Sequence, residues 1–584
     1  NDGLGMYVQD SSARIVYLYC RDVAMTVLPN APIDADTGLP VPTIAVATDG
    51  GVSIIKDNGT VVDIVSSTAA GGGYDPEHVS FDQDNRLTLV QAYDSGAPYL
   101  NIFENIPSAD LGQALSYADA TSYTYLDTGL NFTGGGANFA DLAHTKDDVA
   151  IGTSTRLSLL NSIPGVPMVA YVTSDYNTGY MVGNTKLATL SDTDTTNAVG
   201  AELITNGTFA SNVNSWTSDS GTPSYYATDS SMKIVQNIGV GFVYQAISTV
   251  VGKTYTLSLD AKGGNTNAVA FFVGTTYNGG TIISKTGVVV SSSSYTTLTG
   301  TFVATTTTTY IRLSPWAGAT QYAYFDNISV RLAEEDRSVN GNGLQVFGTV
   351  TKTAVATGAD LVAYSGFSAS NYLEQPYNSD LDFGTGDFSV MGWAYITNTG
   401  VSNPLFGHGN AGVNDGFLMG LDNGTFNVGI LGTSGSFTSE ATTAPAHPAN
   451  TWVQVCYKRE NATNYSYLNG KLVATWAGGL ATANFTTKWS SPITTFGKRA
   501  GSAGAISGGS LALWRVSATA PTPEQIAKIY NDEKFLFQEN AKATLYGTSD
   551  AVTALAYDDD TELLHAGTSA GRSEFQGLRR VNNT

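Results

Sequence analysis

A strand–turn–strand pattern recurs along this chain and restricts its possible folds more than any other sequence feature. Each copy has a short apolar strand, a polar turn rich in Asp and Asn, a second apolar strand, a small polar turn and a third strand. Four copies lie before residue 200 and one lies after residue 540, at residues 43–55, 78–94, 139–160, 168–190 and 552–575. Gly152, Gly183 and Gly567 stand at the same turn, where glycine permits the positive φ of a tight hairpin.

Repeats of this size build arrays in which each unit buries one face against the next. Three or four strands per repeat fit the blades of a β-propeller better than a helical solenoid. Residues 1–200 and 539–584 together supply roughly 245 residues, or about 49 for each of five repeats, close to known blade repeats. We therefore predict a propeller of about five blades, in which residues 1–200 form the first blades and residues 539–584 form the last and close the ring.

The composition supports an all-β fold. Only 13% of the 584 residues are charged, while glycine reaches 63, a profile that suits short strands and turns better than long helices. The net charge of −22 argues against sequence-independent nucleic-acid binding, because phosphate backbones repel such a surface. The sequence has no apolar run of about eighteen residues that predicts a membrane span, and Cys20 and Cys456 can form neither a disulfide framework nor a zinc cluster.

Residues 201–335 form a first insertion between the repeats. It opens with ELITNGTFASNVNSWT at 202–217 and closes with YAYFDNISVRL at 322–332, with alternating strands and Gly, Asn and Ser turns in between. This frame resembles carbohydrate-binding modules built on the galactose-binding-like jelly roll, and the matching residues are Asn206, Gly207, Phe209, Trp216 and Asp326. The resemblance implies a β-sandwich with a structural calcium that Asp326 helps to bind, although Ala210 stands where that family has another acid.

Residues 336–538 form a second insertion with several motifs in series. They read NYLEQPYNSDLDFGTGDFSVMGWAYI at 371–396, TWVQVCYKRENATNYSYLNGKLVATW at 451–476, ITTFGKR at 493–499 and GGSLALWRVSATAPTPEQIAKIYNDEK at 508–534. Their order and spacing resemble the laminin-G-type, concanavalin-like jelly roll. Asn469 and Gly470 predict a type I′ hairpin, and Pro523 predicts the start of a short helix. Because such jelly rolls hold calcium on rim loops, the resemblance implies Asp415 and Asp422 as calcium ligands.

Four aromatic residues of the first insertion are the candidates for carbohydrate binding. Sugar rings stack on Trp and Tyr faces, while amides and carboxylates bind their hydroxyl groups. The candidates are Trp216, Tyr226, Tyr277 and Trp316. The competing interpretation is that strand aromatics fill the core of a sandwich, and Trp216 stands at a core position of the family that the insertion resembles.

The sequence contains no recognisable catalytic constellation. Retaining glycosidases of the concanavalin-like type carry a Glu-x-Asp-x-x-Glu run, which places two carboxylates on one strand face, and this run does not occur. No histidine spacing suits a metal site, and no nucleophile elbow is present. We therefore predict a protein that binds without catalysing.

The passage from the closing helix of the second insertion into the last repeat, at residues 508–580, resembles virion-associated tail proteins of tailed bacteriophages. The resemblance implies a structural protein of the virion tail or fibre, exposed outside the cell. It also implies a homotrimer or homohexamer that contacts other tail proteins and attaches to host-surface polysaccharide through its jelly rolls. Two alternatives stay open: a secreted polysaccharide-degrading enzyme and a bacterial cell-surface lectin.

Overall fold

The computed structural model describes residues 15–17, 19–65, 75–92, 99–111, 122–126, 139–161, 167–237, 241–410, 416–432, 437–443, 447–490 and 492–584. The chain divides into two compact units. The first comprises Asn1–Asn184, Gly358–Leu361 and Asp532–Thr584, and the second comprises Thr185–Thr357 and Val362–Asn531. Nearly all regular structure is β-strand, which confirms the all-β prediction. Of the helices in the described residues, none is long and apolar enough to cross a membrane.

Three antiparallel sheets occupy the described part of residues 1–184. Their strands are β1 (Cys20–Thr26), β2 (Thr43–Thr48), β3 (Gly51–Ile55), β4 (Val61–Val65), β5 (Asp75–Phe81), β6 (Leu87–Ala92), β7 (Tyr99–Phe103), β8 (Ser122–Leu126), β9 (Phe139–His144), β10 (Val149–Thr153), β11 (Leu157–Asn161), β12 (Met168–Val172) and β13 (Met181–Val182). The sheet orders are β1-β2-β3-β4, β5-β6-β7-β8 and β13-β12-β11-β10-β9. Strands β10, β11 and β12 are buried at every position, as expected for near-continuous apolar strands that are covered on both faces.

The first insertion folds into a sandwich of two five-stranded sheets, which confirms the jelly-roll-like prediction. Two short strands, β14 (Thr185–Thr189) and β15 (Ala198–Gly200), precede it. Its strands are β16 (Thr217–Asp219), β17 (Gly221–Tyr226), β18 (Ser231–Gln236), β19 (Phe242–Ser248), β20 (Thr254–Gly263), β21 (Ala268–Thr276), β22 (Gly279–Val289), β23 (Thr296–Val303), β24 (Thr308–Pro315) and β25 (Tyr322–Glu334). One sheet has the order β17-β18-β25-β20-β23 and is called the β25 sheet. The other has the order β16-β19-β24-β21-β22 and is called the β24 sheet.

The core of this first sandwich lies between its two sheets. Every second residue of a strand points inward, because side chains alternate along a pleated strand. The inward residues include Met232, Leu257, Phe271, Ile311 and Val330, none more than 2% exposed. Fully burying a side chain of this kind stabilises the fold by roughly 1.5–3 kcal/mol.

The second insertion forms a larger sandwich, called the second sandwich. Its strands are β26 (Leu344–Ala354), β27 (Val362–Ser365), β28 (Tyr372–Gln375), β29 (Phe388–Ile396), β30 (Pro404–Gly409), β31 (Gly416–Asp422), β32 (Thr425–Leu431), β33 (Phe437–Thr443), β34 (Trp452–Glu460), β35 (Thr463–Leu468), β36 (Lys471–Trp476), β37 (Ile493–Phe496) and β38 (Gly509–Ser517). One sheet runs β36-β35-β34-β29-β38 and the other β26-β28-β37-β30-β31-β32-β33. Strand β26 passes between them, since its first half pairs with β28 and its last residues pair with β27.

Two local predictions for this sandwich are confirmed. Asn469 and Gly470 have φ of 49° and 75° and join β35 to β36 with Leu468 opposite Lys471, as in a two-residue type I′ turn. The predicted helix is α2 (Pro523–Glu533), and a shorter helix, α1 (Phe485–Lys488), lies before β37. Short 3-10 turns lie at Ser379–Leu381, Gly479–Ala481 and Lys534–Phe537.

A fourth sheet of the first unit comes from the C-terminal residues. It has the order β39 (Val552–Asp558), β40 (Leu563–Thr568), β41 (Gly571–Gln576) and β42 (Arg579–Asn583). The backbone N–H of Leu555 donates to Asp141 Oδ2 at 2.6 Å. Lys146 pairs with Glu562 at 2.6 Å, so β39 and its turn contact the sheet that contains β9.

The predicted repeats differ from the observed sheets at one point. The repeats at 139–160 and 168–190 share the single sheet β9–β13, and the last strand of the second of them, β14, pairs with β38 of the second sandwich. The reason is that β38 offers an unpaired edge at Trp514–Ser517, which a local sequence pattern does not reveal. The described residues of this unit therefore contain four sheets, and the five-bladed ring stays a prediction.

Candidate functional site

Trp216 is a core residue. Its side chain is 7% exposed, its ring centroid lies 6.0 Å from that of Phe209, and its Nε1 donates to the backbone oxygen of Asn206 at 3.2 Å. An indole held in this way offers no free ring face to a sugar. The structure thus places Trp216 in the core of the sandwich, which is the competing interpretation that the sequence left open.

Tyr226 lies on the outer face of the β25 sheet, where the polar groups bind one another. Its ring centroid is 4.6 Å from that of Tyr324. The Lys262 ammonium lies 5.0 Å from the Tyr324 ring and pairs with Asp229. Asp229 also accepts a hydrogen bond from the Tyr295 hydroxyl at 3.1 Å. A ligand here would have to displace contacts that the protein already makes.

Tyr277 and Trp316 flank the outer face of the other sheet, the β24 sheet. Tyr277 is 44% exposed, and its ring centroid lies 5.5 Å from that of Tyr244. Trp316 lies 6.0 Å from Phe272. The structure thus brings two of the four predicted aromatics to one face of the sandwich.

Sequence reasoning missed the residues between these two aromatics. The strand register places Tyr244, Arg312 and Phe272 side by side across β19, β24 and β21. Their neighbours Val243 and Ile311 belong to the core, so the alternation of the strands turns this row outward. We call this set the aromatic platform; it consists of Phe242, Tyr244, Phe272, Tyr277, Tyr310, Arg312 and Trp316. The alternation within Phe242–Ser248 was the available signal, since it puts Phe242 and Tyr244 on the face opposite Val243.

Arg312 is the only charged member of the aromatic platform as defined. It is 3% exposed, and its Cζ lies 5.4 Å from the Phe242 ring centroid and 5.0 Å from that of Phe272. Its Nη2 donates to Thr281 Oγ1 at 3.3 Å, while its Nε is buried and has no hydrogen-bond partner within the described residues. Burial lowers the pKa of Arg312, yet a guanidinium remains charged in proteins.

The aspartates considered as calcium ligands belong to two different insertions, Asp326 to the first and Asp415 and Asp422 to the second. Asp326 lies on β25, and burial raises its pKa to about 6, with Asp260 and Asp229 adding like charge. Asp422 accepts a hydrogen bond from the backbone N–H of Asn403 at 2.9 Å, which joins the end of β31 to the residue before β30. Asp415 lies outside the described residues. In the part of the chain that the structure describes, no group of three His, Cys, Asp or Glu could hold a metal ion, so calcium stays a prediction.

A cleft of about 890 Å³ lies between the two sandwiches. Arg331 on its wall contacts Glu202 at 3.3 Å and stacks over Phe347 at 4.3 Å. Glu202 also accepts from the backbone N–H of Val330 at 2.9 Å. Burial raises the pKa of Glu374, also on the wall, to about 7. The cleft offers polar groups that are largely engaged with one another, together with one carboxyl that titrates near neutral pH.

Comparison with known proteins identifies one matching family model, described as the concanavalin A-like lectin/glucanases superfamily, over residues 367–527. This match confirms the laminin-G-type, concanavalin-like prediction for the second sandwich. No curated protein matches the chain significantly.

Several solved structures are similar to parts of the chain. A CBM4 structure is 21% identical, covering 22% of this chain and 99% of its own, with a TM-score of 0.20. The CBM40 of Ruminococcus gnavus IT-sialidase, bound to α2,3-sialyllactose, is 20% identical, covering 25% and 84%, with a TM-score of 0.23. Domain 4 of AbnA, a GH43 extracellular arabinanase from Geobacillus stearothermophilus, in complex with arabinotriose, is 14% identical, covering 34% and 92%, with a TM-score of 0.26.

Proposed function

We propose that this protein binds a glycan without cleaving it, and that the aromatic platform of the first sandwich is the binding surface. The observation that carries the proposal is the outward row of Tyr244, Arg312 and Phe272 across three adjacent strands, flanked by the exposed ring of Tyr277. Aromatic side chains grouped around a hydrogen-bonding group suit a pyranose ring, which has an apolar face and a polar rim.

We further propose that the protein is a structural component of a bacteriophage tail or fibre, which attaches to host-surface polysaccharide. The four antiparallel sheets of the first unit would be blades of a propeller. Hydrogen bonds such as Leu555 to Asp141 and Asn177 Nδ2 to the Ala543 oxygen, at 2.6 and 2.8 Å, support a joining of the chain ends. In this proposal the protein forms a homotrimer or homohexamer on the virion and contacts other tail proteins. The copy number in purified particles tests it, because a free bacterial lectin would be absent from them.

The binding proposal is tested by affinity electrophoresis of the whole protein in gels that contain single soluble polysaccharides. Tyr244→Ala and Tyr277→Ala should each weaken retardation by about tenfold or more, the loss typical of a central aromatic contact. Tyr226→Ala is the matched control, since it removes the same side chain from the outer face of the opposite sheet. Equal losses for all three variants would refute the platform as the site.

The absence of catalysis is tested on the same polysaccharides. We expect no release of reducing ends during prolonged incubation with a polymer that the protein binds. Sustained release would support the alternative of a polysaccharide-degrading enzyme, and the carboxyls of the cleft, such as Glu374, would then be the first positions to substitute.

A further inference from the structure

We propose that the glycan of the aromatic platform is acidic, and that an anionic group on one of its sugars pairs with Arg312. The inference rests on the proposed function and goes further by naming the chemical class of the ligand. The shared chemistry is a sugar-borne oxyanion, which is a carboxylate in uronic acids and a sulfate ester in sulfated glycans.

The first observation is that Arg312 lacks a protein counter-ion. It is 3% exposed, yet no carboxylate oxygen of the described residues forms an ion pair with it within 4.0 Å; Asp219 acts on it only at longer range. Burying an unpaired charge is costly. Arg459 of the second sandwich shows how a buried guanidinium is otherwise satisfied: it donates to four backbone oxygens, those of Gly386, Leu480, Ala483 and Gly384, at 2.7–3.0 Å.

The second observation is the position of the guanidinium. Its Cζ lies beside two phenylalanine rings, 5.4 Å from the centroid of Phe242 and 5.0 Å from that of Phe272, and it belongs to the row of the platform that faces away from the core. A planar guanidinium binds a carboxylate or a sulfate through paired N–H groups. The apolar rings around it exclude water and strengthen such a pair.

The third observation is the charge of the whole protein. A net charge of −22 repels acidic polymers. Any preference for an acidic glycan over its neutral counterpart must therefore come from a local site rather than from general attraction. This makes the charge preference of the wild-type protein a direct readout of the proposed contact.

The experiment is isothermal titration of the full chain with three matched ligands: oligogalacturonate, the same oligomer after reduction of its carboxyl groups, and a sulfated galactan oligomer. We expect wild-type protein to prefer one of the two acidic ligands over the reduced one by about 10–100-fold, as for a charged hydrogen bond in a partly buried site. The two acidic arms distinguish a carboxylate from a sulfate. Arg312→Gln should abolish the preference, and Arg312→Lys should retain part of it.

Arg331→Gln is the matched control, because it removes the same charge from the other sheet of the same sandwich. It should leave the preference unchanged. Equal binding of acidic and reduced ligands by the wild type would overturn this inference alone and leave the proposed function intact. If neither these ligands nor any neutral polysaccharide bound, the proposed function would fail as well. The comparison of acidic and reduced ligands uses wild-type protein, so it tests the inference even if Arg312→Gln fails to fold.

Discussion

The stability of the second sandwich should depend on pH through one buried histidine. His408 on β30 is 3% exposed, and its ring stacks at 5.5 Å on Phe485. Its Nδ1 is hydrogen-bonded to Thr494 Oγ1 at 2.8 Å. Burial lowers the pKa of His408 from 6.5 to about 3, so the folded protein keeps this ring neutral throughout the mildly acidic range.

The sign and size of the effect follow from proton linkage. Below pH 6.5 the unfolded chain takes up a proton on this histidine, whereas the folded chain does so only near pH 3. The contribution of His408 to stability is therefore lost progressively as the pH falls from 6.5 towards 3. The loss approaches about 1.4 kcal/mol per pH unit and amounts to about 2 kcal/mol at pH 5. Glu374 acts in the opposite direction, because a carboxyl with a raised folded-state pKa favours folding as the pH falls.

A double variant isolates the histidine from such opposing groups. In His408→Phe/Thr494→Val the ring stack is kept and no hydroxyl is left unpaired, and Thr494→Val alone serves as the reference. Urea unfolding is followed by tryptophan fluorescence, which reports on this sandwich because it holds five of the seven tryptophans: Trp393, Trp452, Trp476, Trp489 and Trp514. Relative to Thr494→Val, the double variant should gain about 2 kcal/mol in free energy of unfolding between pH 7 and pH 5. A gain under about 0.5 kcal/mol would refute the burial argument.

Three further predictions concern the same compact unit. Gly392→Ala should lower the free energy of unfolding of this unit by about 1–3 kcal/mol, because a Cβ there would lie 2.4 Å from Cδ2 of Trp514. The loss should appear as a lower urea midpoint, and an unchanged midpoint would contradict the close packing of Gly392 against Trp514. Relative to wild type, Glu374→Gln should lose thermal stability as the pH falls from 8 to 5, since burial raises the pKa of Glu374 to about 7 and the wild type gains stability by protonating it. Parallel melting profiles for the two proteins would show that the carboxyl is solvated. Lys352→Met should lower the free energy of unfolding by about 3–5 kcal/mol, because Lys352 is 4% exposed and its Nζ lies 2.7 Å from Asp192 Oδ2. A melting temperature equal to that of wild type would show that this ion pair is dispensable.

Features that depend on a few adjacent residues could be predicted from the sequence. The Asn469-Gly470 turn and the helix that begins at Pro523 are encoded locally, one by residues that tolerate positive φ and the other by a residue that suits the first turn of a helix. Both were found where the sequence indicated. The all-β class followed in the same way from the scarcity of charged residues and the abundance of turn formers.

The candidate site could not be predicted, because it depends on which strands pair and in what register. Phe272 and Arg312 are forty residues apart in the sequence, and a shift of one residue in either strand would turn its side chain into the core. Composition and alternation identify Trp216 and Tyr277 as strand aromatics of the same type. Both lie just outside a strand, and only the folded sandwich shows that Trp216 is buried and Tyr277 exposed. The pairing of β14 with β38 of the second sandwich likewise joins residues that are far apart in the sequence.

An unpaired arginine is a stronger sign of a ligand than an unpaired carboxyl. Asp326 on the β25 sheet also has a buried oxygen without a hydrogen-bond partner within the described residues, but its pKa is raised to about 6. Asp326 can therefore avoid carrying a buried charge by taking up a proton. Arg312 has no such response, since a guanidinium does not lose its proton at any pH at which a protein remains folded. In our proposal a bound anion meets the charge of Arg312, and the aromatic rings beside it favour an anion carried on an apolar face, as in an acidic sugar.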